Sequence, residues 1–303
     1  MYQFQFRPYG RRFKPPLQTS YGTWEVREGI IITLTDETGK TNQGEIAPIS
    51  WFGSESLTKA LLFCQQLPIE ITAKEIFSIP DDLPACQFAF ASASKIQPSP
   101  PENLTYSGLL PAGKAALQQW EMLWQQGYRT LKWKIGVYPI AEELLIFDKL
   151  GRSLPKSAKL RLDANGGLSY DEANLWLWTC DNLSAAQLLE LEFIEQPLPV
   201  TQLGEMLELG SCYATAIALD ESVATFNQLV SCYEQGWRDI FVIKPCIAGY
   251  PSRLRQFCQE RNIDAVFSSV FETEVGRKAA LNIAAELSCR DRAVGFGVNH
   301  WFE

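Results

Sequence analysis

The chain has 303 residues, of which 46% are hydrophobic and 20% charged, and its net charge is −8. That composition is ordinary for a globular protein large enough for one barrel-sized domain plus a smaller one. The acidic balance argues against a nucleic-acid or anionic-membrane partner, and no apolar run is long enough to span a bilayer. The first residues, MYQFQFRPYGRRFKPP, lack the apolar stretch of a signal peptide. Eight cysteines without a CxxC spacing predict reduced, mostly buried thiols in a cytosolic protein. The single histidine, His300, would have to serve any Ser-His-Asp triad or zinc site alone. Acid–base chemistry therefore falls to lysines and carboxylates.

In chain order, residues 1–50 are predicted β-rich. EGIIITLTD reads as a strand, DETGK as a turn, TNQGEIAPI as a returning strand, and SYGTWEVREG ahead of them as an exposed loop. Residues 55–95 read as helical: Leu57, Ala60, Leu61 and Cys64 share a face, and ACQFAFASASK is small and apolar enough for close packing. The first unit, 1–96, is thus an α+β domain, and the Pro-rich SKIQPSPPENL is a linker.

Beyond it, short strands alternate with helices. Strands are predicted at Leu104–Gly108, Thr130–Ile135, Leu160–Asp163, Leu191–Glu195, Ile217–Asp220, Ile240–Lys244, Ala265–Ser269 and Ala293–Gly297. The intervening helices carry their own punctuation: Gly127 as a stop, Pro139 as a start, a Ser169–Glu172 capping box, and Gly236 as an end. This regular alternation predicts a parallel (β/α) barrel over 97–290. A tail at 291–303 closes it and returns toward the first domain. No Gly-rich phosphate loop follows the first strand, so a nucleotide-binding open sheet is disfavoured.

Charged residues end several of these strands. From Lys134 the gaps to Asp163, Glu195, Asp220 and Lys244 are 29, 32, 25 and 24 residues, about one strand-plus-helix unit each. Asp163, Glu195 and Asp220 end adjacent strands, spaced about 4.8 Å apart, so they are expected to converge. One such acid alone is more often a helix cap or an ion-pair partner. Three together are unfavourable without a cation, and an all-oxygen set suits Mg²⁺ first and Mn²⁺ second. Lys132 and Lys134 alternate with Trp133 and face one way. Lys244 stands on a strand four places away, opposite them in a ring of eight. Like charges and a metal would lower a lysine pKa toward that of a general base. The bland reading of Lys132-Trp133-Lys134, a solvated edge strand, is poor for a strand inside a helix ring.

A metal and two lysines suit proton abstraction next to a carboxylate. A gap of about 20 pKa units costs roughly 27 kcal/mol, and a general base alone supplies only about 10²–10⁴-fold. The metal and second ammonium must stabilise the enolate.

The order K-x-K, D-x-N, E-x-P, D-E-S, K-P resembles the muconate-lactonising branch of the enolase superfamily. So do GEIAP at 44–48 and Ser268-Ser269 with Glu272 and Gly276. The resemblance covers nearly the whole chain. It implies a modified TIM-type (β/α)7β barrel with an N-terminal α+β capping domain. Within the branch, Arg161-Leu162-Asp163 and a short capping domain opening on a Tyr/Phe-rich strand resemble the dehydratases that form o-succinylbenzoate. The resemblance implies a syn dehydration of a cyclohexadiene carboxylate serving menaquinone or phylloquinone biosynthesis. Lys134 would be the base and then the acid, Lys244 the anion stabiliser, and Lys132 the tuner of Lys134. Asp163, Glu195 and Asp220 would hold Mg²⁺. Arg161 would support this set and, with Asn165, Ser268, Ser269 and the Ser20–Arg27 loop, would contact a small carboxylate substrate.

Racemisation or epimerisation of an N-succinylamino acid could use the same two lysines. A dipeptide epimerase is disfavoured, because AVGFGVN holds no D-x-D for an α-ammonium. A glycosidase using Glu195 with Asp220 leaves the lysines unexplained. A non-catalytic binding barrel leaves the whole charged row unexplained.

Overall fold

The computed structural model describes residues 1–19, 22–102, 104–183, 189–288, 292–298 and 302. Ser20 and Tyr21 of the expected substrate loop, Cys289 and His300 lie outside them.

The first sheet has the order β3-β2-β1-β4, with β1 at Tyr2–Thr19, β2 at Gly22–Asp36, β3 at Thr41–Ile46 and β4 at Glu70–Ile71. β1 and β2 form one long antiparallel ribbon, in register from Tyr2↔Asp36 to Arg12↔Val26 and again from Leu17↔Trp24. The register shift between them contains Pro15 and Pro16, which have no N–H to give the ladder. The segment expected as an exposed loop before β2 is part of that strand, except where it lies outside the described residues. Its polar-and-aromatic composition belongs to a ribbon with much of its surface in water, not to a loop.

Three helices complete this unit: α1 (Leu57–Gln66), α2 (Ala73–Ile76) and α3 (Pro84–Ala93). α3 is buried along its whole length and packs on β3. A Cβ on Gly44 would lie 2.1 Å from the Ala89 carbonyl oxygen, so only glycine allows that approach. Burying Phe88 and Phe90 contributes about 1.5–3 kcal/mol each.

The second sheet is parallel, with seven strands in chain order. They are β5 (Ser107–Leu110), β6 (Thr130–Lys134), β7 (Lys159–Asp163), β8 (Glu190–Glu195), β9 (Ile217–Leu219), β10 (Ile240–Ile243) and β11 (Ala265–Phe267). Helices alternate with these strands: α4 (Ala116–Gln125), α5 (Ile140–Ser153), α6 (Tyr170–Asp181), α7 (Leu203–Cys212), α8 (Phe226–Glu234), α9 (Pro245–Ala248), α10 (Pro251–Arg261) and α11 (Glu274–Leu287). Ser169 opens α6 with the expected capping box. Short helix α9 also packs against α3, which therefore lies between the two sheets' units.

The eighth strand expected at Ala293–Gly297 does not form as a strand. Val294 bridges to Tyr106 beside β5, and Gly295 bridges to Ser268 beside β11, so one short segment touches both edges of a seven-stranded sheet. Two glycines in five residues weaken a strand. Gly295 must be small, because a Cβ there would lie 2.7 Å from the Ser268 hydroxyl.

Strand periodicity sorts the side chains. Trp133 points out to the helices, its ring 6.2 Å from Trp176 of α6. Phe193, Ala218, Ile240, Val242 and Val266 form a small separate apolar cluster. Each of the first four lies two or four residues before Glu195, Asp220 or Lys244. Those charges therefore share the cluster's face, one step nearer the strands' carboxyl ends.

Candidate active site

Lys132 and Lys134 stand on β6, the latter in register with Asp163 at the end of β7. Asp163 in turn pairs in register with Glu195 at the end of β8. Asp220 follows β9 and Lys244 follows β10 directly. Asp163, Glu195, Asp220 and Lys244 are all buried. The Lys132 ammonium lies 2.7 Å from an oxygen of Asp163 and 2.7 Å from one of Glu195. Lys244 donates to Asp220. Its ammonium also lies 4.0 Å from the centre of the Phe52 ring, which the first unit supplies. Lys134 is half-buried and has no ion-pair or hydrogen-bond partner among the described residues. The loop after it is tied down by buried Glu143 of α5, which accepts from the N–H groups of Gly136, Val137 and Tyr138.

Two lysines stand among the three carboxylates and take up their charge. Among the described residues no three His, Cys, Asp or Glu side chains form a ready metal cluster. Lys132 divides its ammonium between Asp163 and Glu195, while Asp220 turns to Lys244. Crowding is the physical reason. Burial, then the charge of Asp163, raises the Glu195 pKa well above the carboxylate range. Burial and the charge of Glu221 raise Asp220, against the lowering pull of Lys244. For Lys132, burial opposes the charged form, but Asp163, Glu195 and Asp220 outweigh it and raise the pKa. That is opposite to the lowering a general base needs. The donor set still fits a hard divalent ion: three buried carboxylates on adjacent strands, with more negative charge than burial tolerates uncompensated.

The four residues expected to bind substrate are held by protein partners. Asn165, at φ 45°, donates its side-chain amide to Glu221 at 3.1 Å. Arg161 is buried and donates to Glu192 at 2.6 Å. Lys159 and Arg292 also approach Glu192, each at 3.7 Å, so Arg161 belongs to a buried ion network. Ser269 donates to Glu272 and accepts from the Phe271 N–H, fixing its own turn. Ser268 donates to the Gly295 carbonyl at 3.4 Å.

Two further residues shape the site, and the sequence reading passed over both. Gln196 is fully buried at φ 38°. Its amide oxygen accepts from the N–H groups of Asp220 and Ser222, and its nitrogen donates to Leu198 and Ser222. It therefore fixes the backbone that carries Asp220. Glu221 has one oxygen on Asn165, while the other is buried without a hydrogen-bond partner among the described residues. Their only signal was position, each immediately following a strand-end acid in E-Q-P and D-E-S.

Residues 115–301 match the family model described as enolase C-terminal domain-like. The o-succinylbenzoate synthase of Thermosynechococcus vestitus is 39% identical, over 99% of this chain and 93% of its own. A solved structure of o-succinylbenzoate synthase from Thermosynechococcus elongatus, complexed with magnesium in its active site, superposes with a TM-score of 0.93 at 38% identity, covering 99% of this chain and 94% of that one. The L-Ala-D/L-Glu epimerase of Bacillus subtilis is 29% identical over 53% of this chain and 44% of its own. Its substrate-liganded structure reaches a TM-score of 0.78 at 21% identity, covering 98% of this chain and 89% of that one, which is likeness of fold alone.

Proposed function

The chain belongs to the o-succinylbenzoate synthases of the enolase superfamily, and from that premise we propose how its residues share the reaction. The enzyme is a lyase. It dehydrates 2-succinyl-6-hydroxy-2,4-cyclohexadiene-1-carboxylate to o-succinylbenzoate through an enediolate.

Lys134 takes the proton next to the ring carboxylate and gives a proton to the departing hydroxyl, so both events occur on one face. The absence of an ionic partner for Lys134 among the described residues supports this role, since a lysine committed to a carboxylate would be a poor base. Lys244, four strands away, stabilises the anion from the opposite wall. Lys132 orients Asp163 and Glu195. These two acids and Asp220 would hold Mg²⁺, with Mn²⁺ as a substitute. When bound there, the ion would supply positive charge to stabilise a developing anion. Asn165, Ser268 and Ser269 border the substrate through the loops they hold. Arg161 acts from the buried network behind Glu195.

We read residues 1–96 as the cap, 97–290 as the catalytic barrel, and 291–303 as the segment that closes the barrel and returns to the cap. The bridges at Val294 and Gly295 support closure, and the Phe302 ring stacked 4.8 Å from Phe13 supports the return.

The observation that carries the reading is the pair of lysines on β6 and after β10, flanking three buried strand-end carboxylates. Lys134→Ala tests it. Turnover should fall by at least about 10²–10⁴-fold, the share of a general base, while Mg²⁺ affinity measured by calorimetry stays within a few-fold. Substantial remaining turnover would remove Lys134 as the base.

A further inference from the structure

We infer that Phe52, a residue of the capping unit, is a positioning residue for Lys244. The inference rests on the reading of Lys244 as the group that stabilises the anion.

The Lys244 ammonium has two neighbours of different kinds: the Asp220 carboxylate and the face of the Phe52 ring, 4.0 Å from its centroid. That separation is well inside the reach of a cation–π contact. A carboxylate fixes where the charge sits but occupies one of its donors. A ring face attracts the cation and takes no donor, so the N–H groups stay available to an anionic substrate. A lysine stem has four rotatable bonds, and the ring limits how far its end can swing.

Phe52 is itself fixed without help from the lysine. It lies in a tight turn in which the Phe52 N–H donates to Ile49, the Gly53 N–H to Ser50, and the Ile49 N–H to the Ser54 hydroxyl. Gly53 closes the turn at φ 124° and abuts the chain just beyond Asp220, a Cβ there lying 3.2 Å from that of Ala224. Neighbouring Trp51 meets Trp24 edge-on at 4.8 Å, and Trp24 meets Phe13 at 4.9 Å. Phe52 follows directly on Trp51 in the chain, so the residue next to this aromatic row is the one that meets the lysine. The ordinary reading of Phe52 is apolar packing, and it packs against the core as well. Apolar packing needs volume, whereas positioning needs the π face, and the two separate by substitution.

The test is steady-state kinetics of the full chain with Mg²⁺ and the cyclohexadiene substrate, on Phe52→Leu, Phe52→Met and Phe52→Tyr, with thermal melts of each. Leu and Met keep an apolar side chain without a ring. They should lower kcat by about 2- to 30-fold, the span of an exposed to a desolvated cation–π contact, with KM within about three-fold. Tyr should restore kcat to near the parent value. A parent-like kcat in Leu and Met, equal losses in all three, or an effect on KM alone would overturn the inference. Lys244→Ala separates the two readings. If it stays active, Lys244 has no such role and the inference falls with it. If it is inactive while Phe52→Leu is unimpaired, only the inference falls.

Discussion

At Gln196 a left-handed backbone is stabilised by one buried amide that bonds to the chain on both sides of Asp220. Gln196→Ala leaves the Asp220 and Ser222 N–H groups without that acceptor, at about 1–3 kcal/mol for each buried donor. We predict a lower denaturation midpoint together with weaker Mg²⁺ binding by calorimetry; unchanged metal affinity would limit Gln196 to a structural role. Arg161 makes the opposite case. Arg161→Met removes one partner of a buried pair, an event that costs about 3–5 kcal/mol. The melting temperature should fall, with KM little changed in whatever protein remains folded. The strand-end charges were legible because each interrupts an apolar run at a fixed spacing. Gln196, Glu221 and Phe52 were not, since what they do depends on contacts with residues far away in the chain.

Elements were legible where one face meets the core and the other meets helices or water. The strands β6 to β8 were expected within a residue or two of where they lie, because their apolar runs are bounded by turns and end in charge. β1 was harder. Its prolines and polar-aromatic alternation give no clear buried face, and the partner that organises it, β2, pairs with it as far away as Tyr2↔Asp36. The last predicted strand shrank to two bridges, because its glycines serve close approach rather than pairing. Close approach also governs β3 against α3. Gly44→Ala should destabilise the chain by at least about 1–3 kcal/mol, as overpacking does, and urea denaturation measures it. A neutral effect would mean that α3 can retreat from β3.

Over the whole molecule, the capping sheet is fastened to the barrel unit by a few buried polar groups. Glu45 of β3 accepts from the Thr273 and Gly276 N–H groups at the start of α11, and from the Tyr9 hydroxyl. Arg27 of β2 donates to the Val270 carbonyl, and the Tyr250 hydroxyl donates to Ile76. The cap therefore grips the loop after β11 as well as placing Phe52 over Lys244. Glu45→Leu should cost at least about 2 kcal/mol, from buried donors left unpaired, and a thermal or urea melt would show it. The change of pattern near residues 94–104 falls between the antiparallel sheet and the parallel one. The fastenings were not legible, because each joins residues far apart in sequence. Binding a metal only to the folded chain should also raise stability, by about 2.7 kcal/mol at a hundred times the Kd. A melting temperature indifferent to Mg²⁺ would contradict binding at the carboxylates. The most direct test of the account is to follow loss of the diene absorbance when the purified protein meets 2-succinyl-6-hydroxy-2,4-cyclohexadiene-1-carboxylate, with Mg²⁺ and then with EDTA. Loss should be rapid with the metal and almost absent after chelation. No loss with Mg²⁺ present, or loss indifferent to EDTA, would contradict the proposed reaction.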